Sequence, residues 1–350
     1  RKGSRRLKFG PVGVCDAIGG IVAHAIRQPG LTLRKGNRLG EADVALLRDA
    51  GVETVTIAQL EPGDVGEDEA ALRLAQKVAG DHVRVDAPFT GRANLFAETA
   101  GILLASAEAI DGINARDERI TLATLPPMRR VVEGEMIATV KIIPFAVPED
   151  ALSQAIAAAN RCKLSIAPFR GMRVGVVSTL LPGLKPSTVT KTLRILRERL
   201  GHSGARLGSE REVPHETQAL AEAIGAVEPD SDLVIVFGAS AITDRRDVIP
   251  AAIESAGGAI EQFGMPVDPG NLLLLGRTRS GKTVLGAPGC ARSPKENGFD
   301  WVLDRLLADV PVTPQDIRRM GAGGLLMEIV SRPQPRGGEA PRAEPDNGDD

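Results

Sequence analysis

The chain has 350 residues, 43% of them hydrophobic and 25% charged, and is therefore long enough for two or three folded domains. A formal net charge of −2, one Trp and no Tyr argue against the basic, stacking surfaces typical of nucleic-acid-binding proteins. No apolar segment approaches the ~20 residues that cross a bilayer, and we expect no membrane partner. Three cysteines far apart in sequence favour reduced thiols, so a cytoplasmic protein is expected.

The first part of the chain predicts an α+β region rich in strands. A basic leader occupies residues 1–6 and is expected to be loose. Helices are predicted over residues 41–50 and 67–79. Between residues 83 and 147, strand-like segments are interrupted closely by Pro and Gly, as in a small barrel or sandwich. We therefore expect a mixed, β-rich N-terminal region over residues 7–148.

The second part of the chain predicts an α/β domain. Residues 149–171 are expected to form a connecting helix and linker, and the domain itself spans residues 172–328. Its strands at residues 173–178 and 233–237 are almost wholly apolar and alternate with helices, which indicates a parallel sheet covered on both faces. Residues 329–350, rich in Pro, Gly and charge, are expected to be a disordered tail.

An acidic loop follows the apolar strand that ends at Phe237. It reads GASAITDRRD, and its small residues allow the backbone to approach a ligand closely. Asp244 and Asp247 are the catalytic candidates, because their carboxylates can hold a Mg²⁺ ion shared with substrate phosphates. An alternative role for Asp247 is to cap the helix that follows. The candidate ligand-binding residues of this loop are Gly238, Ala239, Ser240, Arg245 and Arg246.

Two further loops are built on Pro-Gly steps. The one at residues 269–271 either binds ligand or only joins two strands. The one that starts at residue 288 supplies a cation and a hydroxyl just before a helix predicted from residue 297, and free N–H groups at a helix start favour an anion. An ordinary capped loop is the alternative. The candidate ligand-binding residues of these two loops are Pro269, Gly270, Asn271, Pro288, Gly289, Ser293 and Lys295.

Residues 276–283 read GRTRSGKT and match the pattern of a nucleotide-binding P-loop. A P-loop must lead into a helix whose N-terminus holds the phosphates. Here the chain continues as TVLGAPG, and Gly286 and Pro288 are incompatible with a helix at this point. We therefore interpret the segment as a polar hairpin tip, and the alternative is an ATP-hydrolysing site that depends on Lys282.

The loops, in this order and spacing, resemble the molybdopterin-binding domain that molybdopterin adenylyltransferases share with molybdopterin molybdenumtransferases. The segments GASAITDRRDVIP, MPVDPGN and GAPGCARSPKEN carry the resemblance, which covers about residues 172–310. Residues 31–58 are also similar to a segment that precedes this domain in the molybdenumtransferases. The resemblance implies a three-layer α/β/α fold that binds molybdopterin by its terminal phosphate, together with Mg²⁺.

The resemblance also assigns roles to individual positions. The family's metal-associated acidic residue falls on Asp247, with Asp244 as the second choice, and its Gly-Gly-Thr/Ser loop falls on residues 238–240. Two positions depart from the family pattern, since Ala239 stands where the family has Gly and Asn271 where it has Lys. The second departure removes a positive charge from the expected phosphate neighbourhood.

The resemblance leaves two functions open. As an enzyme, the protein would transfer an adenylyl group to molybdopterin or insert molybdate, with ATP and molybdate as further partners. As a non-catalytic carrier, it would hold molybdopterin for a separate molybdenum-cofactor nucleotidyltransferase, the kind of domain that follows such a module in some bacterial fusion proteins. The family commonly forms homo-oligomers, so self-association is expected.

Overall fold

The computed structural model describes residues 8–28 and 30–326, which divide into two compact units. The first unit comprises the chain up to residue 171 with residues 202–205 and 304–311. The second comprises the remaining described residues between 172 and 326. The leader and the tail expected at the two ends lie outside the described residues. Within the described part, no helix is both long and apolar enough to span a bilayer.

The first unit combines short strands with four helices among its described residues. Its elements in chain order are β1 (Lys8–Gly13), β2 (Ile21–Val22), β3 (Ile26–Gln28), β4 (Leu31–Leu33), α1 (Glu41–Asp49), β5 (Thr54–Gln59), β6 (Asp64–Gly66), α2 (Glu67–Val78), β7 (Val83–Val85), β8 (Arg92–Ala97), β9 (Gly101–Leu104), α3 (Ala107–Asn114), β10 (Ile120–Thr124), β11 (Arg130–Val131), β12 (Met136–Ile142), β13 (Ala146–Pro148), α4 (Glu149–Ala158) and β14 (Ser165–Pro168). The strand orders are β1-β5-β2, β10-β12-β8-β7, β11-β9-β14, β13-β6 and β3-β4.

Two apolar cores hold the first unit together. In one, α1 buries Leu47 against Ile57 of β5. In the other, α2 buries Leu74 and Val78 against the β10-β12-β8-β7 sheet, which contributes Val140. The alternation of buried and exposed positions along these strands fixes which face meets the helices. The β-rich character expected for this region is therefore observed, and its strands are paired antiparallel.

Two helices of the first unit differ from expectation. Helix α3 lies inside the region predicted to consist of strands, and its N-cap residue Ser106 accepts a hydrogen bond at Oγ from the Ala109 amide. Helix α4, expected to connect two domains, instead packs Leu152 and Ala155 into the core of the first unit. The sequence signals for both helices are capping and composition, which do not show where a helix packs.

The second unit has a regular α/β order. Its elements are β15 (Arg173–Leu180), α5 (Pro186–Gly201), β16 (Arg206–Pro214), α6 (Thr217–Val227), β17 (Leu233–Phe237), α7 (Val248–Ser255), β18 (Ala259–Phe263), β19 (Leu274–Arg277), β20 (Thr283–Ala287), α8 (Gly298–Leu307) and α9 (Pro314–Arg318). The strands form one six-stranded sheet of order β16-β15-β17-β20-β19-β18. Strand β19 is antiparallel to both of its neighbours, and the other pairs are parallel.

The sheet is covered on both faces, as its apolar strands predict. Helices α6 and α7 pack on one face, where they share a core with Val177, Val234 and Val284. The alternate strand residues, among them Ile235 and Leu285, are fully buried and point to the opposite face. Helices α5 and α8 also bury their apolar residues, and α6 and α7 already occupy the first face, which is consistent with a three-layer α/β/α arrangement.

This topology brings several loops to one edge of the sheet. The carboxyl ends of β15, β17, β18 and β20 lie at the same edge, because β18 is antiparallel to β19 and β19 is antiparallel to β20. The chain leaves β15 toward α5 and leaves β17 toward α7, which lies on the other face. Ligands of open α/β sheets bind at such a switch point, outside the carboxyl ends of the strands.

Candidate functional site

A pocket of about 430 Å³ opens at this edge of the second unit. It is lined by Lys191, Pro269, Gly289, Cys290, Arg292, Ser293, Pro294, Lys295, Glu296 and Asn297. The structure therefore brings the second and third predicted loops together, with Lys191 of α5 beside them. Three of the lining residues, Lys191, Arg292 and Lys295, are basic and one, Glu296, is acidic, so the lining favours an anionic ligand.

Arg199 of helix α5 fastens the loop of residues 288–297. Its side chain is only 8% exposed and pairs with Asp300 of α8 at 2.6 Å between Nε and Oδ1. Its two terminal nitrogens donate to the carbonyl oxygens of Ala291 at 2.7 Å, Ser293 at 2.5 Å and Lys295 at 3.2 Å. One buried guanidinium thus binds three carbonyl groups of the loop, and the loop is preorganised before any ligand arrives.

The loop ends at a capped helix start. The buried side chain of Asn297 accepts the Phe299 amide at 3.1 Å through Oδ1 and donates to the Lys295 carbonyl at 3.0 Å through Nδ2. Asp300 completes the cap by accepting the Asn297 amide at 2.8 Å. These bonds occupy N–H groups that a helix start otherwise offers to an anion. This part of the loop is capped in the structure, and basic side chains rather than helix amides supply the positive lining.

The turn at residues 269–271 is attached to the same helix start. The Gly298 amide donates to the Pro269 carbonyl at 2.8 Å. Gly270 has a φ of 142°, and a Cβ there would lie 2.9 Å from Gly298 Cα, so this position requires glycine. The Asn271 side chain donates to the Met265 carbonyl at 3.3 Å and does not line the pocket. The turn therefore joins strands and borders the pocket only through Pro269.

Arg292 connects the pocket with the acidic loop. Its guanidinium donates to Thr192 Oγ1 at 2.7 Å and to the Gly238 carbonyl at 2.9 Å, and it lies 5.4 Å from the centre of the Phe237 ring. Burial lowers the pKa of this guanidinium, and no carboxylate among the described residues pairs with it. A partly desolvated cation without a counter-charge is a favourable place for a ligand anion.

The acidic loop of residues 238–247 is closed on itself. Asp247 occupies the N-cap position of α7 but makes no side-chain capping bond; its Oδ2 accepts the amides of Thr243 at 2.6 Å and Asp244 at 2.9 Å. These amides hold the pKa of Asp247 below its usual range. Asp244 pairs with Arg246, which lowers its pKa to about 2. Arg246 is 91% exposed, and Arg245 and Ser240 are exposed as well.

The peptide between Gly238 and Ala239 is bound at both of its polar atoms. Its carbonyl accepts from Arg292, and its N–H donates to Thr179 Oγ1 at 2.8 Å. The Thr179 hydroxyl is in turn hydrogen-bonded to Nδ1 of His215 at 2.7 Å. The amide of Ala239, a candidate ligand-binding residue, is therefore already bonded to a buried hydroxyl.

The acidic loop offers few side-chain ligands for a Mg²⁺ ion. Within the described residues, no group of three or more His, Cys, Asp or Glu side chains is arranged to hold a metal ion. Both oxygens of Asp244 accept from Arg246, whereas Asp247 Oδ1 has no hydrogen-bond partner among the described residues. Mg²⁺ keeps several waters and often binds through one or two carboxylates plus ligand phosphates. Asp247 fits that role, and Asp244 would first have to leave its arginine.

The P-loop-like segment is a hairpin tip, as interpreted from the sequence. Strands β19 and β20 pair antiparallel on either side of it, and β20 continues the sheet where a P-loop would begin a helix. Lys282 Nζ donates to the Glu228 carbonyl at 2.8 Å, and Ser280 is hydrogen-bonded to the Glu228 carboxylate. The tip is thus fastened to the segment before β17 and does not line the pocket.

Arg292 lies in the third predicted loop but was not among its candidate residues, and several residues outside the predicted loops were not identified from the sequence either. Lys191 and Arg199 lie on α5, about a hundred residues before the loop that they serve. Thr179 and His215 reach the acidic loop from β15 and from the residue after β16. No local motif marks them, because their proximity arises from the order of strands in the sheet.

Comparison with known families gives two matches. Residues 176–308 match the family described as the probable molybdopterin binding domain, and residues 11–59 match a domain of unknown function (DUF8806). The first match contains the pocket, the acidic loop and Arg199. No curated protein sequence matches the chain. Over residues 176–308 the chain is therefore similar to the probable molybdopterin binding domain.

Several solved structures are similar at low identity. A molybdopterin biosynthesis MoeA protein from Pyrococcus horikoshii is 15% identical, with a TM-score of 0.31, over 87% of this chain and 75% of that chain. The protein CinA of unknown function from Thermoplasma acidophilum is 17% identical, with a TM-score of 0.30, over 40% of this chain and 98% of its own. The molybdopterin biosynthesis enzyme MoaB from Thermus thermophilus is 17% identical, with a TM-score of 0.26, over 43% of this chain and 97% of its own.

Proposed function

We propose that this protein binds molybdopterin through its phosphate in the pocket formed by residues 288–297 and Lys191, and that it acts in molybdenum cofactor biosynthesis. The observation that carries the proposal is the pocket itself, whose cations Lys191, Arg292 and Lys295 converge within the domain of the molybdopterin-binding family. A phosphate carries close to two negative charges near neutral pH, and charge-assisted hydrogen bonds to Arg and Lys are the strong ones. Glu296 is turned to Trp301, whose Nε1 donates to it at 2.9 Å.

The binding test uses the intact chain and the natural fluorescence of oxidised pterin. We expect the purified protein to retain a fluorescent pterin. The variant with both Lys191→Ala and Lys295→Ala should lose about tenfold or more in affinity for molybdopterin, since the two lost contacts of these exposed lysines together cost at least about 1.5 kcal/mol. Arg279→Ala is the matched control, because Arg279 is an exposed cation at the hairpin tip. Equal affinity in all three proteins would refute the pocket assignment.

We further propose that Asp247 supplies one carboxylate oxygen to a Mg²⁺ ion that neutralises phosphate charge. The unbonded Oδ1 supports this role, and ligand phosphate and water would complete the coordination. Asp247→Ala should then weaken Mg²⁺-dependent binding far more than Lys282→Ala. Titration of molybdopterin with and without Mg²⁺ checks the proposal, and equal effects of the two substitutions would contradict it.

Catalysis and cofactor carriage remain two separate proposals for the same site. The available Asp247 oxygen favours an enzyme that transfers an adenylyl group or inserts molybdate. The neutral Asn271, which is bonded to the Met265 carbonyl, favours a carrier that delivers molybdopterin to a separate nucleotidyltransferase. Incubation with molybdopterin, Mg-ATP and molybdate separates them. Adenylylated pterin or inserted molybdenum supports the enzyme, and unchanged molybdopterin that a nucleotidyltransferase then accepts supports the carrier.

A further inference from the structure

Arg292 is held in place by groups from three parts of the second unit. The hydroxyl of Thr192 on α5 and the carbonyl of Gly238 after β17 each accept one hydrogen bond, and Phe237 of β17 lies under the guanidinium. Thr192 is 1% exposed and donates its own proton to the Thr188 carbonyl at 2.7 Å, so its oxygen is aimed at Arg292. The orientation of the guanidinium is therefore set by residues that do not line the pocket.

The guanidinium has capacity left for a ligand. An arginine side chain has five N–H donors, and the two hydrogen bonds of Arg292 use two of them. The remaining N–H groups have no partner among the described residues, and the side chain lines the pocket. An anion can thus bind Arg292 without displacing the Gly238 carbonyl.

The Gly238 carbonyl, to which Arg292 donates, lies at the start of the acidic loop. Gly238 sits tightly, since a Cβ there would lie 2.8 Å from both Ile249 Cδ1 and the Ser240 carbonyl. The Gly238–Ala239 peptide is the point where the loop leaves β17, and Arg292 and Thr179 hold its two polar atoms. From this peptide the chain runs on to the turn that Asp247 closes.

We propose that Arg292 is a positioning residue that couples the anion pocket to the acidic loop, with Thr192 setting its orientation. An anion in the pocket fixes the guanidinium more firmly, which strengthens its hold on the Gly238 carbonyl and orders residues 238–247. By linkage, anything that orders the loop raises the affinity of the pocket for the anion by the same factor. This inference rests on the proposed function, because it takes the pocket to be an anion site.

The test uses inorganic phosphate as the probe and two readouts. Calorimetric titration gives the phosphate affinity, and hydrogen–deuterium exchange measured by mass spectrometry gives the protection of the peptide containing residues 238–247. In the wild-type protein we expect saturating phosphate to slow exchange in this peptide several-fold. The Arg292→Lys variant keeps the positive charge but loses the guanidinium with its several N–H donors. Phosphate should still bind to it, about tenfold more weakly, and should no longer slow hydrogen–deuterium exchange in residues 238–247.

Thr192 provides the variant that leaves the pocket lining unchanged. Thr192→Val is close in shape and removes the acceptor for Arg292, so phosphate affinity should fall about threefold to tenfold and loop protection should be reduced. Thr192→Ser should restore both. Thr190→Val is the matched control, since Thr190 is exposed on the same helix and bonds only to the Pro186 carbonyl. A merely structural role of Thr192 would lower the melting temperature of the Ser variant as well and would leave phosphate-induced protection intact.

The outcomes separate the two proposals. Phosphate that binds the wild-type protein in the pocket without changing exchange in residues 238–247 would overturn the coupling and leave the anion site standing. An unchanged response in Arg292→Lys or in Thr192→Val would also overturn the coupling. If the wild-type protein bound no phosphate at all, both the coupling and the proposed function would fall.

Discussion

The loop of residues 288–297 and the acidic loop of residues 238–247 border the same edge of the sheet but are held in different ways. The first is fastened from a distance, by the buried Arg199 of another helix. The second is fastened mainly from within, by Asp247 and Asp244 bonding to residues no more than four positions away, and distant residues hold only the peptide where it leaves β17. Long-range fastening gives a preorganised pocket, whereas local turns can rearrange at low cost. The difference favours the first loop for anion recognition and the second for adaptation to a ligand.

Removal of Arg199 should cause the largest loss in the free energy of unfolding. It would also remove the long-range contacts that distinguish the loop of residues 288–297 from the acidic loop. Arg199→Ala takes a buried cation away from the Asp300 carboxylate and a donor away from three loop carbonyls. Breaking a buried pair from one side costs about 3–5 kcal/mol of the free energy of unfolding. Denaturant unfolding measures this loss. The matched control is Arg194→Ala on the same helix, whose exposed pair with Glu198 is worth about 0.5 kcal/mol or less.

Asn297→Ala should cause the next largest loss in the free energy of unfolding. The substitution removes the N-cap acceptor of α8 and the bond to the Lys295 carbonyl, for a loss of about 2 kcal/mol in the free energy of unfolding. Because the same bonds shape the pocket, phosphate affinity should fall too. The control is Asn271→Ala, since Asn271 is exposed and makes one longer bond. If the two substitutions cost the same, the cap would not matter for the pocket.

The second unit shows which secondary-structure elements local sequence patterns can predict. Strand β17 and helix α7 were predicted correctly, because an all-apolar run and an Asp before an apolar helix are strong local signals. Strand β16 was missed: its sequence RLGSEREVP is rich in charged residues and has no buried position, as suits an edge strand. Edge strands gain much of their stability from one neighbour, β15 here, and that pairing is not visible in the local sequence.

In the candidate site, too, local features could be predicted from the sequence and long-range contacts could not. Local patterns indicated the loops themselves, and the structure places Pro269, Gly289, Ser293 and Lys295 at the pocket. The occupation of the Ala239 amide by Thr179 could not be predicted, because the two residues are sixty positions apart. Two lysines in phosphate-binding patterns of the sequence also lie in different places in the structure: Lys295 lines the pocket, while Lys282 does not.

Asp247→Asn tests the self-contained nature of the acidic loop. In the free protein the substitution should cost about 1 kcal/mol of the free energy of unfolding, the worth of a weakened pair of hydrogen bonds. The pKa of Asp247 is lowered in the folded state, so its contribution is present above the unfolded value near pH 3.9 and is lost as the pH falls through the folded value. The difference between wild type and variant should therefore be constant near neutral pH and shrink below about pH 4.

The control for Asp247→Asn is Glu254→Gln, which changes an exposed carboxylate on helix α7 of the same unit. Its stability difference from the wild type should stay near zero at each pH. Phosphate affinity measured without Mg²⁺ should fall only slightly in Asp247→Asn, since Asp247 does not line the pocket and acts on it only through the order of the loop. A loss as large as that of the Lys191→Ala and Lys295→Ala double variant would show that Asp247 contributes to phosphate binding directly.

Lys282→Ala should have the smallest effect, although Lys282 belongs to the most conspicuous phosphate-binding pattern in the chain. Its ammonium bonds to the Glu228 carbonyl at the far end of the β19–β20 hairpin, so its removal should cost less than about 1 kcal/mol of stability. Phosphate and molybdopterin affinities should match the wild type, and any ATP hydrolysis should be unaffected. Hydrolysis that disappeared with Lys282 would revive the nucleotide-loop interpretation. The pocket among residues 288–297 would then have to share its role as anion site with a hairpin tip that never opens a helix.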